Sequence, residues 1–182
     1  METLLSWDLN IVIWARDTLQ HALWNPFWIF ITTSGNKGAI WIALGLILLA
    51  IPKYRKMGIL VLGSLFFSAL ICNIVLKNLI ARPRPFTYFP VELLVKQPHD
   101  FSFPSGHTSA SFAAAYVLIK ERFTIKNVPV YKIAFVLAVL ISFSRLYLSL
   151  HFTTDIIGGI CVGLLSGYLS LKVFQYIFKN MK

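Results

Sequence analysis

Ser144-Arg145-Leu146-Tyr147-Leu148-Ser149-Leu150-His151-Phe152-Thr153-Thr154-Asp155 joins two apolar runs, residues 130–150 and 152–177, each long enough to cross a bilayer. An arginine, a histidine and an aspartate at such a junction are costly to desolvate, which marks a functional site. The opposing reading is a buried ion pair that only locks two helices together, and from this stretch alone both stand. His151 and Asp155 are four apart, a spacing that on a helix places them on one face. A carboxylate so placed can hold one imidazole nitrogen and leave the other free as a base or nucleophile. Arg145 adds a planar cation suited to an oxyanion.

Composition extends the same reading to the whole chain. Of 182 residues, 57% are hydrophobic and 13% charged, which excludes an ordinary soluble domain. The net charge of +10 could indicate nucleic acid. The basic residues flank apolar runs instead of forming one stripe, so membrane topology explains them and no nucleic-acid partner is expected. Cys72 and Cys161 sit inside apolar runs and read as small buried hydrophobes, with no metal-binding C-x-x-C. Glu2, Asp8 and Asn10 are wrong for a removable signal peptide.

The expected fold is all-α: a single membrane-embedded domain, 1–182, with about five spans preceded by an interfacial amino-terminal part. In residues 4–23, Leu5, Leu9, Val12, Ala15, Leu19 and Leu23 recur at helical spacing between polar residues, which predicts an amphipathic helix lying in the interface. Asn25-Pro26 opens a second short piece that stops at Ser34-Gly35-Asn36-Lys37, so residues 1–34 are read as interfacial and 38–182 as the transmembrane core. Spans are predicted over 38–51, 57–76, 104–119, 130–150 and 152–177. Ala81-Arg82-Pro83-Arg84-Pro85 breaks the second span. The long loop 82–103 is expected to be functional. Within it, Asp100 is a candidate partner of Arg82, while Glu92 and Lys96 read as solvation. Lys53, Arg55, Lys56, Lys120, Arg122, Lys126, Lys179 and Lys182 all fall on one side, which predicts a cytoplasmic carboxyl terminus and an external face for the opposite end.

Three separated segments then meet at that external face: Lys77 and Arg84, the run Pro104-Ser105-Gly106-His107, and Arg145 with His151 and Asp155. Each has a bland reading. Lys77 can be a snorkelling lysine, and Pro104-Ser105-Gly106 a plain helix start. Taken together they offer a helix amino terminus, a glycine that admits an anion to the backbone, three cations and two histidines. A phosphoryl group needs such a cradle.

Lys77-x6-Arg84-Pro85, Pro104-Ser105-Gly106-His107 and Ser144-Arg145-x5-His151-x3-Asp155 resemble the three signature motifs of the type-2 phosphatidic acid phosphatase family, the lipid phosphate phosphatase superfamily. Every motif position is filled in order, and the resemblance covers the chain from about residue 57 onward. It implies catalytic roles for His151 as nucleophile, Asp155 as its orienting partner and His107 as acid and then base. It implies phosphate binding by Lys77, Arg84, Arg145, Ser105 and the backbone of Gly106, with Ser144 in the pattern but without a defined role. It also implies hydrolysis of a lipid phosphate or pyrophosphate, of the undecaprenyl pyrophosphate, phosphatidylglycerol phosphate or phosphatidic acid class, in the cell membrane. No cofactor or metal is expected, because three cations already balance the phosphoryl charge. Two other classes compete with this reading. A lipid phosphotransferase differs only in the acceptor. A proton-coupled transporter or flippase would need polar residues deep inside several spans, whereas here they cluster at one end.

Overall fold

A computed structural model describes the backbone of residues 2–179 and the side chains of 5–177. Lys182, counted above among the basic residues of one side, lies outside the described residues. Among the described residues eight α-helices follow one another: α1 (Glu2–Leu19), α2 (Asn25–Ser34), α3 (Ala39–Ala50), α4 (Arg55–Ser68), α5 (Lys77–Ile80), α6 (Gly106–Lys120), α7 (Val130–Tyr147) and α8 (Thr153–Lys179). A π-helical segment, Ala69–Leu76, fuses α4 to α5. This wider winding, a feature often found at functional sites, immediately precedes Lys77. Ala81 then takes a left-handed conformation (φ 48°, ψ 36°) that ends the rod, and the prolines that follow prevent its resumption.

Among the described residues, three helical stretches are long and apolar enough to cross a membrane: Pro52–Thr87, Val130–Tyr147 and Thr153–Ile177. Asn25–Ser34 and Asn36–Ala50 pass the same test only as a pair bent by 44°, which makes four. The expectation of about five is therefore not reached by length and composition, since α6 has only 15 helical residues. The bend of that pair falls at residues 35–38, where the sequence placed the boundary between the interfacial part and the core. Lys37 and Gly38 adopt left-handed angles at that break.

α6 is the central rod, packed against α8, α7 and α4. Leu60, Val61, Leu118, Ala138 and Ile141 are fully buried around it. Since lipid tails are as apolar as these side chains, close approach and buried hydrogen bonds must hold the helices together. Trp41 Nε1 donates to Ser111 Oγ (2.9 Å), Ser68 and Ser109 share a bond (2.7 Å), and Ser170 Oγ donates to the Leu60 carbonyl (2.8 Å). Close approach is clearest at Gly163. A β-carbon there would lie 2.6 Å from the Ser109 carbonyl oxygen and 2.8 Å from Phe112 Cβ. Gly163→Val is expected to force α6 from α8 at a cost of about 1–3 kcal/mol, read as a lower thermal midpoint in detergent.

The helices present apolar side chains outward, among them Phe66, Ile74, Leu79, Phe135 and Ile157. Cys161 is on this outer surface, not buried as its apolar context suggested, while Cys72 is buried with its thiol toward the Pro104 carbonyl. The amino-terminal helix is docked as well as amphipathic. α1 packs on α7 and α8 through Asp8, Val12 and Ala15, all fully buried, and leaves Trp7 and Trp14 exposed. Lys56 and Glu121 pair at 2.5 Å, so the turn after α3 and the turn after α6 lie at one end of the bundle. The three motif segments lie at the other.

Candidate active site

Three chain breaks build the site. α7 ends at Tyr147, Ser149 takes a left-handed φ of 56°, and α8 starts at Thr153. His151 therefore sits in the turn, not on a helix shared with Asp155 as the four-residue spacing suggested. The left-handed residue stops one helix and the next restarts only after Phe152. Asp155 caps that restart by accepting the Phe152 N–H (2.9 Å), and the turn still brings its Oδ2 to 3.4 Å from His151 Nδ1. The second motif is tied directly to the third, because the Ser105 N–H donates to the Asp155 carbonyl (3.0 Å). Ser105 Oγ caps α6 by accepting the Thr108 N–H (3.5 Å), and it also accepts from Thr108 Oγ1 (3.0 Å). The bland reading of that serine is thus realised geometrically, and Gly106 and His107, not Ser105, line the cavity.

That cavity has a volume of about 1090 Å³, and Lys77, Arg84, Arg145, Gly106, His107 and His151 all border it. Arg84 is the hub. Its Nη1 donates to the Leu150 carbonyl (2.7 Å) and to His151 Nε2 (3.1 Å), and its Nε to the Asp100 carbonyl (2.9 Å). A guanidinium can only donate, so Nε2 of His151 is the unprotonated nitrogen and Nδ1 carries the proton toward Asp155. Burial pushes the His151 pKa well below that of a free imidazole, and the cationic Arg84, Arg145 and Lys77 push it the same way. The imidazole is thus neutral near pH 7, with a lone pair on the cavity side. Asp155 is fully buried and also accepts from Ser102 Oγ and from Arg82 Nη1 (2.8 Å).

Arg145 reaches from α7 to Thr32 on α2 (2.7 Å), and its buried Nε has no hydrogen-bond partner among the described residues. His107 Nε2 donates to Asn36 Oδ1 (3.0 Å). Ser144 turns its hydroxyl back to the Ile141 carbonyl (2.6 Å), a local bond within α7.

Asp100 does not pair with Arg82. Its carboxylate bridges Lys77 and Arg84 (2.6 Å to Nη2), while Arg82 turns to Asp8 and Asp155. The physical reason is reach: the loop brings Asp100 to the cavity wall beside Lys77 and Arg84, whereas Arg82 does not border the cavity. Although burial raises its pKa, the contacts with Lys77 and Arg84 outweigh that and hold the carboxyl well below the ordinary range. Asp100 thus occupies the side-chain donors of two cations that border the cavity. Asp100→Asn should free both cations and strengthen competitive inhibition by inorganic phosphate about 3–10-fold, equivalent to roughly 0.7–1.4 kcal/mol. A titration of activity against phosphate reads this directly. Lys96, read as loop solvation, borders the same cavity.

Sequence reasoning missed Arg82, Ser102, Thr32, Asn36 and Asp8 as neighbours of the site. Asp8 carried a signal. It falls on the stripe of Leu5, Val12, Ala15 and Leu19, where a carboxylate has no reason to be unless it meets a cation.

A membrane-embedded helix bundle with a polycationic pocket and a buried histidine–aspartate pair defines the class: an enzyme of the integral-membrane phosphoryl-transfer type. The chain belongs to the PAP2 superfamily, whose domain matches residues 58–179. It is 31% identical over 155 residues to an undecaprenyl-diphosphatase of Sulfolobus acidocaldarius, covering 85% of this chain and 72% of that one. It is 43% identical over 139 residues to phosphatidylglycerophosphatase B of Bacillus subtilis, covering 71% of this chain and 64% of that enzyme. Among solved structures, a transmembrane PAP2-type phosphatidylglycerolphosphate phosphatase from Bacillus subtilis superposes with a TM-score of 0.74 at 30% identity. That match covers 97% of this chain and 89% of the other. Aquifex aeolicus LpxE superposes with a TM-score of 0.75 at 26% identity, covering 90% and 94%. The family resemblance of the three motifs is thereby borne out, and with it a multi-pass membrane phosphatase.

Proposed function

We propose that the chain hydrolyses the phosphomonoester or pyrophosphate of a membrane lipid through a phosphohistidine at His151. The observation that carries the reading is the convergence of Lys77, Arg84, Arg145, His107 and His151 on one cavity in a bundle whose outer surface is apolar. A lipid can reach such a pocket with its tail still in the bilayer.

Nε2 of His151 attacks phosphorus as the bond to the lipid oxygen breaks. His107 gives that oxygen its proton. Asp155 keeps the Nδ1 proton in place and balances the positive charge that develops on the ring. Arg84, Lys77 and Arg145 hold the non-bridging oxygens, which requires Arg84 to exchange His151 Nε2 and Asp100 for the substrate. His107, now unprotonated, takes a proton from water as the water attacks the phosphohistidine. Inorganic phosphate then leaves and both histidines are restored. The α6 amino terminus at Gly106 directs backbone N–H groups toward the same anion.

In the membrane, α3 and α6 complete a five-span arrangement with α4, α7 and α8. Basic turns and the carboxyl end face the cytoplasm, and the cavity opens outside in the cell membrane. The supporting observation is that the paired turns of Lys56 and Glu121 lie at the end opposite the cavity. The substrate is of the undecaprenyl pyrophosphate, phosphatidylglycerol phosphate or phosphatidic acid class, and the activities named for the relatives support the first two. Hydrolysis proceeds without a metal, because the three cations supply the charge.

Purified protein in detergent, given each of these lipids, is expected to release phosphate from at least one at an undiminished rate in EDTA. No release from any, or release dependent on added magnesium, would refute the reading.

A further inference from the structure

Arg82 does not border the cavity, unlike Arg84 and Arg145, yet it is held as tightly as they are. Its Nη1 donates to Asp155 Oδ1 (2.8 Å) and Thr154 Oγ1 (2.6 Å), and its Nη2 to Asp8 Oδ2 (3.0 Å). The guanidinium carbon lies 3.8 Å from the centroid of the Phe152 ring. Both carboxylates are fully buried, and Asp8 further binds the Thr154 hydroxyl and backbone N–H (3.3 Å). Two buried carboxylates share one guanidinium, so removal of Arg82 would leave both without a compensating charge.

The division of labour on Asp155 gives this cluster a meaning. Oδ1 is taken by Arg82. Oδ2 receives Ser102 Oγ and the Phe152 N–H, and faces His151 Nδ1. Arg82 thus clamps one oxygen, which sets the carboxylate plane and points the other oxygen at the imidazole. Asp8, 74 residues away on α1, clamps the guanidinium in turn. We propose that Arg82 and Asp8 are positioning residues for the reaction. They fix the Asp155 carboxylate and, through it, the tautomer of His151 that leaves Nε2 free, without touching the phosphoryl group. The inference rests on the role given above to His151. It also assigns a task to the docked helix α1, which lies outside the matched family domain.

A residue acting only through Asp155 changes turnover, not substrate affinity, and loses its effect once Asp155 cannot respond. With micellar phosphatidic acid as the probe, Arg82→Gln is expected to lower kcat about 10–100-fold, the scale seen when a group that orients a reacting side chain is removed. KM should stay within about 3-fold. Arg82→Lys should retain more turnover than Arg82→Gln, and Asp8→Asn should show a smaller loss of the same kind. The double variant Arg82→Gln/Asp155→Asn should be no slower than Asp155→Asn alone. Full additivity in the double variant, or a rise in KM with kcat unchanged, would overturn the proposal.

A second readout needs neither activity nor Arg82 substitution. ¹⁵N NMR of imidazole-labelled protein in detergent should show His151 as the Nδ1–H tautomer in the wild type and as a mixture in Asp8→Asn. An unchanged tautomer in Asp8→Asn would sink the positioning role. Wild-type protein inactive on every lipid phosphate would instead sink the phosphatase reading and leave the NMR result to judge the clamp.

Discussion

His151→Ala is expected to abolish measurable phosphate release, lowering kcat by about 10⁴-fold or more. His107, which also borders the cavity, is not placed to stand in for it. His151 Nε2 is the ring nitrogen held unprotonated against Arg84, and His107 donates from its own Nε2 to Asn36. Cations and helix amino terminus remain in the variant, so binding should persist: KM, or the affinity for inorganic phosphate, should change by less than about 5-fold. Steady-state turnover and phosphate inhibition measured side by side test both halves. Retention of more than a few per cent of turnover would remove His151 as nucleophile.

His107→Ala is the second large effect, expected to cost about 10²–10⁴-fold in kcat, the span typical of general acid–base groups. The size should depend on the leaving group. A lipid alkoxide needs a proton as it departs, whereas a lipid phosphate leaving from a pyrophosphate needs it far less. The loss should therefore be larger on phosphatidic acid than on undecaprenyl pyrophosphate, by about 10-fold or more. Equal losses on both would place His107 in binding instead of proton transfer. Neighbouring geometry favours the protonic role: His107 borders the cavity, and its Nε2 donates to Asn36, which borders it too.

Much of this was legible in the sequence because the motifs record short-range constraints. Ala81-Arg82-Pro83-Arg84-Pro85 had to end a helix, and it does at the left-handed Ala81. Ser105 had to open α6, and it caps it. The structure also brings Lys77, Arg84, Gly106, His107, Arg145 and His151, chosen from three distant segments, to one cavity. What escaped was of two kinds. Local spacing misled where a single backbone angle intervened: Ser149 turns left-handed, so His151 lies in a turn although four residues separate it from Asp155. Pairing between distant segments escaped because charge alone does not choose a partner. Arg82 and Asp100 are both loop residues of opposite sign, yet Arg82 meets Asp8 and Asp155 while Asp100 meets Lys77 and Arg84. Thr32 and Asn36 carry no pattern at all. Their meaning comes only from lying against Arg145 and His107, 113 and 71 residues away. The span count was hard to read for a third reason. α6 is shielded by α8, α7 and α4 and opens with a buried polar turn, so its helical part is shorter than a lipid-facing span.

The most direct test is capture of the covalent enzyme. Wild-type protein mixed for milliseconds with ³²P-labelled lipid phosphate, quenched in alkali and digested, should yield one labelled peptide, with acid-labile, base-stable phosphate on residue 151. Phosphate release with no labelled enzyme at any time, or label on another residue, would contradict a phosphoryl group held by the three cations and passed through His151.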